Sequence, residues 1–110
     1  MKRERPLTLA KIKDLQRARH FIDDSMPQYP GGCKLAQYAH TNLSDFNRGF
    51  KRLFGLAPFQ YFCEQRMMKA KELLGSRMTV GEVALELDYS SSRAFGKAFK
   101  RRFGFLASSK

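Results

Sequence analysis

The sequence predicts an all-α fold of about six or seven helices, with two helix-turn-helix units joined by a long linker helix. Three observations lead there. A two-helix block occurs twice, apolar residues recur at helical spacing through each segment, and residues that start or stop helices bound the segments.

The repeat is the most informative of the three. Phe50-Lys51-Arg52-Leu53-Phe54-Gly55 and Phe99-Lys100-Arg101-Arg102-Phe103-Gly104 agree at five of six positions, at an offset of 49. The same offset pairs Phe46 with Phe95 and Arg48 with Lys97, whereas Ala36 and Ala84 are 48 apart. The one-residue change falls between the alanine and the aromatic, where a turn would absorb it.

In chain order, Ile12, Leu15, Ala18/Arg19, Ile22 and Met26 mark an amphipathic helix that Pro27 ends, and residues 28–32 form a loop. Leu35, Ala36 and Ala39 make the short leading helix of the first copy, which has a poor start at Gly31-Gly32-Cys33. His40-Thr41-Asn42 is its turn, and Asn42 is a good N-cap for the next helix. That second helix has a predicted buried stripe of Leu43, Phe46, Phe50 and Leu53/Phe54, an outward face of Ser44, Asn47, Arg48, Lys51 and Arg52, and a stop at Gly55.

Ala57-Pro58 opens the linker helix with proline at or near its first position, and Gly75 stops it after Leu74. Its length is roughly 25 Å, and Tyr61, Phe62, Met67, Ala70, Leu73 and Leu74 are expected to pack both its ends. In the second copy Thr79 and Glu82 form a capping box, followed by Val80, Val83, Ala84 and Leu87 at helical spacing. Asp88-Tyr89-Ser90 breaks the pattern, and Ser90 or Ser91 caps the last helix. That helix buries Phe95, Ala98 or Phe99, and Phe103, ends at Gly104, and turns Arg93, Lys97, Lys100 and Arg101 outward with no acid among them. Gly49 and Gly96 sit inside the two basic helices at a cost of about 1 kcal/mol each relative to alanine. They are read as tolerated weakness, with close approach to a partner as the alternative.

Lys and Arg outnumber Asp and Glu by 21 to 10, a net charge of +11 spread as +4 over residues 1–40, +3 over 41–74 and +4 over 75–110. A polyanionic partner is the natural counterpart of that excess, because a small domain of this charge repels itself. Cys33 and Cys63 do not make a disulfide framework and are read as small apolar residues in a reducing compartment. Met1–Arg5 is basic but no apolar stretch follows it, so it is not read as a signal peptide. No membrane span and a cytoplasmic location are expected. His20, His40, Cys33 and Cys63 lack metal-site spacing, and no nucleophile with a base or phosphate loop is visible. Neither enzyme activity, nor a metal, nor a cofactor is expected. The methionines, Met67-Met68 included, are read as core filler.

Two-helix units with a small residue in the first helix, here Ala36 or Ala84, and a basic second helix are helix-turn-helix units. The second helix can lie in the major groove of double-stranded DNA, its early residues at base edges and its later cations at phosphates. A stiff linker would set two such helices about one DNA turn, ~34 Å, apart, so that one chain reads an asymmetric site in successive grooves.

These residues resemble the DNA-binding domain of AraC/XylS-type bacterial transcription regulators over about residues 10–106. Val83-Ala84, Tyr89-Ser90-Ser91, Phe95, Ala98-Phe99-Lys100 and Phe103-Gly104 are similar to that family's "I-A-x-x-x-G-F-x-S…F-x-R-x-F-K…G" signature. Pro58, Tyr61, Arg66, Ala70 and Leu73-Leu74 match its "P…Y…R…A…L-L". The resemblance implies a homeodomain-like fold of seven helices within a single DNA-binding domain, 1–110. Its parts are a first subdomain (8–54), the linker helix (57–75) and a second subdomain (78–104). By position it makes Ser44, Asn47 and Arg48, and Ser92, Arg93 and Lys97, the base readers. Lys51, Arg52, Lys100 and Arg101 become the phosphate contacts. It implies an activator that works with RNA polymerase and does not engage a membrane. The chain departs from the family by having His40 and Asp88 where a turn glycine is usual. Residues 105–110 lack the expected "P-x-x-Y-R", so the last helix is expected absent or frayed. The effector-sensing domain is missing; the chain is read as a stand-alone regulator or a piece of a longer protein.

Two other classes fit parts of the sequence. A nucleic-acid packaging or RNA-associated protein would share the charge but would not need polar readers at the helix starts. A protein–protein module would use the helices without DNA affinity.

Overall fold

The computed structural model describes residues 6–109, which form α1 (Leu9–Asp24), α2 (Gly32–Tyr38), α3 (Leu43–Phe54), α4 (Pro58–Leu74), α5 (Val80–Glu86), α6 (Ser92–Phe103) and a single 3-10 turn, Ala107–Ser109. No strand occurs among the described residues. The reading of Met1–Arg5 lies outside them.

The helix starts follow local chemistry. The Thr8, Asn42, Thr79 and Ser91 side chains each accept from a backbone N–H three residues on, closing the first turns of α1, α3, α5 and α6. Thr79 and Glu82 form the expected capping box, and the bond from the Thr79 backbone holds the Glu82 carboxyl below its ordinary value. α2 starts at Gly31 without a side-chain cap, in line with its glycine-rich sequence. α3 and α6 both stop at a glycine in the left-handed region, Gly55 (φ 85°) and Gly104 (φ 81°), whose N–H reaches back to Lys51 O (2.7 Å) and Lys100 O (2.8 Å).

The two turns between helices are built alike. After α2, His40 N–H donates to Gln37 O (3.1 Å) and Thr41 N–H to Ala36 O (3.0 Å). After α5, Asp88 N–H donates to Leu85 O (3.1 Å) and Tyr89 N–H to Ala84 O (2.9 Å). Both are Schellman closures, and both put a residue other than glycine in the left-handed region, His40 at φ 57° and Asp88 at φ 62°. Only Thr41 separates His40 from the Asn42 cap, whereas Tyr89 and Ser90 separate Asp88 from the Ser91 cap; the extra residue of the second copy sits there.

The chain divides into two compact units, one taking the residues up to Ser25 with Tyr29–Phe62, the other Met26–Gln28 with the residues from Cys63 onward. In the first, α1 packs on α2 and α3, burying Leu15, Ala18, Ile22, Leu35, Ala36, Ala39, Phe46, Phe50 and Phe62. Tyr61 donates to Asp23 Oδ1 (2.8 Å), joining the start of α4 to the end of α1. In the second, α5 packs on α6 and Met67, Ala70, Leu74, Val83, Ala84, Leu87, Phe95, Phe99 and Ala107 form the core. The Arg66 guanidinium lies 4.1 Å over the Tyr89 ring, so this arginine supports the second turn.

Each unit has the same aromatic ladder. Ring centroids are 5.7 Å apart for Phe46–Phe50 and 4.6 Å for Phe50–Phe54, against 5.8 Å for Phe95–Phe99 and 4.7 Å for Phe99–Phe103. Phenylalanines four apart stack on one helix face, which fixes the rotation of α3 and α6 and leaves Asn47, Arg48, Lys51 and Arg52, and Lys97, Lys100 and Arg101, exposed.

Several expectations change. Leu43 is exposed: as the first residue of α3 it lies against Gly32, where a Cβ would be 2.8 Å from Leu43 Cδ1. The glycine at the start of α2 therefore makes room for this leucine. α1 ends at Asp24, before Met26, because the Ser25 hydroxyl donates to Phe21 O (2.7 Å) and closes the last turn. Cys33 is exposed and Cys63 half-buried, and burial raises the Cys63 thiol pKa. Met67 is buried but Met68 is exposed. The last helix, by contrast, is absent as expected: one 3-10 turn, anchored by buried Ala107, takes its place.

Candidate nucleic-acid interface

With Phe46 and Phe50 fully buried, the 3.6-residue period leaves Ser44, Asn47, Arg48, Lys51 and Arg52 on the exposed side of α3, where all five are found. The Asn42 cap bond, Asp45 N–H to Asn42 Oδ1 (2.8 Å), secures the turn that carries Ser44, Asn47 and Arg48. That turn also holds an acid the sequence reading missed. Asp45 Oδ1 lies 2.6 Å from Arg48 Nη2, and Asp45 Oδ2 accepts from Asn42 Nδ2 (3.0 Å). Arg48, then Asn42, holds the Asp45 carboxyl below its ordinary value. The three-residue spacing of Asp45 and Arg48 on a helix was the available clue.

α6 presents Ser92, Arg93, Lys97, Lys100 and Arg101, all exposed, after the Ser91 cap accepts from Ala94 N–H (3.0 Å). Ser92 lies over the first turn of α5, where a Cβ on Gly81 would be 3.5 Å from its Oγ. No acid occurs anywhere along this helix. Arg102 belongs elsewhere: its guanidinium clamps Glu64 of α4 with two hydrogen bonds, Nε to Oε2 at 2.6 Å and Nη2 to Oε1. That clamp lowers the Glu64 pKa and keeps Arg102 out of the outward stripe. Lys51 and Arg52, like Lys100 and Arg101, fall in a last helical turn, where cations also complement the carbonyl end of the helix dipole.

Each unit therefore offers a capped, aromatic-backed helix with polar residues at its start and cations toward its end. Residues 35–109 match the family model described as a helix-turn-helix domain. A transcriptional regulator from Chromobacterium violaceum, titled as an AraC-type DNA-binding domain-containing protein, shares the fold. It has a TM-score of 0.79 and 20% identity over 92% of this chain and 91% of that one. The chain belongs to the AraC family. The DNA-binding domain of AdpA, solved in complex with a target DNA, is 28% identical and has a TM-score of 0.77, each chain being covered to 87%. The virulence regulon transcriptional activator VirF of Yersinia enterocolitica is 29% identical over 93 residues, 81% of this chain and 33% of VirF. The chain spans about a third of the length of the curated relatives it matches.

Among the described residues of this AraC-type domain, no three His, Cys, Asp or Glu side chains cluster in a way that could hold a metal ion. None of its described helices is long and apolar enough to cross a membrane.

Proposed function

We propose that this chain is the sequence-specific DNA-binding part of an AraC-type transcription regulator, placing α3 and α6 in successive major grooves. The observation that carries the reading is the duplication: each copy turns an N-capped helix outward with polar residues first and cations after. The family membership and the likeness to the AdpA domain, solved with its target DNA, support it. In this reading 8–54 and 78–104 are the two reading subdomains and 57–75 is the strut between them. Ser44, Asn47 and Arg48, with Ser92, Arg93 and Lys97, meet base edges; an amide such as Asn47 suits adenine and an arginine suits guanine. Lys51, Arg52, Lys100 and Arg101 meet phosphates. The chain has no enzymatic role and acts in the cytoplasm. It activates transcription in company with RNA polymerase, and a sensing domain precedes it in a longer protein.

Electrophoretic competition tests the reading. Binding to a selected duplex should survive an about 100-fold excess of random DNA, since specific affinities exceed non-specific ones by orders of magnitude. Equal displacement by random DNA and by unlabelled selected duplex would return the chain to the packaging class, and no affinity at low salt would make it a protein–protein module.

A further inference from the structure

α3 and α6 match in length, capping and aromatic ladder, but only α3 carries an acid. α3 carries Asp45 in its first turn, and the matching residue of α6 is Ala94. A carboxylate on a DNA-facing helix is costly, because it repels the phosphates that the rest of the surface attracts. Helix capping does not require it: the cap bond uses the Asp45 backbone N–H (2.8 Å to Asn42 Oδ1), and Ala94 N–H makes the equivalent bond to Ser91 Oγ (3.0 Å).

The carboxylate engages Arg48 instead. Oδ1 holds Arg48 Nη2 at 2.6 Å while Oδ2 is steadied by Asn42 Nδ2 at 3.0 Å. Both side chains nevertheless remain open, 67% exposed for Arg48 and 52% for Asp45. A guanidinium has five N–H donors and a carboxylate about four acceptor sites, so the pair can bond to each other and still present donors beside an acceptor. That order complements the major-groove edge of a G·C pair, where guanine N7 and O6 accept and the cytosine N4 amino group donates. An A·T pair places its donor between two acceptors and does not match.

We infer that Asp45 is a specificity-determining residue which, with Arg48, reads one G·C base pair as a unit. Arg48 takes guanine N7 and O6, and Asp45 accepts from cytosine N4. The inference rests on the proposed placement of α3 in the major groove.

Binding-site selection on random duplexes, run with the unmodified chain, Arg48→Ala and Asp45→Asn, tests it. The unmodified chain should select a G·C pair at one position, and Arg48→Ala should lose that choice. Asp45→Asn should weaken the same choice about tenfold. It should also bind random DNA more tightly and steepen the salt dependence by about one unit, because Arg48 is released to a phosphate. Asp45→Ala, which installs the residue α6 already carries, should behave alike. A merely structural ion pair would shift the melting temperature and move neither base choice nor salt slope. Full retention of the G·C choice and an unchanged slope in both Asp45 variants overturns the inference while leaving the proposed function intact. Absence of any selected sequence with the unmodified chain overturns both.

Discussion

Replacing Gly96 by alanine should stabilise the second unit, and replacing Gly49 should not give the first unit a comparable gain. Both glycines sit inside helices, where alanine is favoured by about 1 kcal/mol. At Gly96 a new Cβ meets nothing within 4 Å, so the whole preference is available. At Gly49 the new Cβ would lie 3.3 Å from Leu15 Cδ1 and 3.8 Å from Cδ2. Leu15 is only 2% exposed and has little room to withdraw, so crowding against α1 should offset most of the gain. For a domain this size, about 1 kcal/mol corresponds to roughly 4–8 °C in Tm. Urea and thermal unfolding of the two variants, with hydrogen exchange of α3 and α6 amides to localise the effect, reads the difference directly. A neutral or destabilised Gly96→Ala, or a Gly49→Ala as stable as Gly96→Ala, would refute the packing argument. DNA affinity of the stabilised Gly96→Ala separates the two readings of that glycine: unchanged binding marks a tolerated weakness, and lost binding marks close approach to the duplex.

Arg93→Ala should relax preference at one base pair by about 1–3 kcal/mol. Lys100→Ala should weaken all sequences alike and flatten the salt slope by about one unit; equal, sequence-blind losses from both would contradict the roles given to them. Thr79→Ala removes the side-chain half of the capping box and should cost about 1 kcal/mol in urea unfolding, with no loss if α5 is held by packing alone. Because Arg48 is the largest cause of the lowered Asp45 pKa, Arg48→Ala should move the Asp45 carboxyl midpoint in an NMR titration back toward 3.8. The stabilisation linked to this pair is present above that ordinary value and fades as pH falls through the lowered one. For Tyr61, burial and then the Asp23 bond raise the phenol from 10.0 to about 12, so its contribution is complete below 10.0 and is lost as pH rises toward 12. Tyr61→Phe should blunt that part of the alkaline unfolding curve.

What could be read in advance was local or repeated. The Thr79–Glu82 box, the Asn42 cap, the start of α4 at Pro58 and the stops at Gly55 and Gly104 depend on residues three or four apart, and each is found as expected. The phenylalanine ladder was visible for the same reason, since four-residue spacing is a helix property before it is a packing one. What could not be read depends on partners distant in sequence or on competition between neighbours. Gly49 has a packing role because Leu15 of another helix reaches it, and nothing near Gly49 announces that contact. Leu43 fits an apolar stripe by spacing, but as the first residue of α3 it lies at the rim, against Gly32. Arg102 could have joined the outward cations on charge alone; Glu64, on α4, takes it. At the candidate interface the exposed positions followed from the ladder, whereas the Asp45–Arg48 bond required coordinates to show that the exposed acid meets the arginine.

Selection from random duplexes with paired variants tests the central claim, that both copies of the helix read DNA. The account predicts two preferred blocks with centres about one helical turn, ~10 base pairs, apart. Arg48→Ala should degrade one block and Arg93→Ala the other. A single block, or the same block degraded by both substitutions, would contradict it.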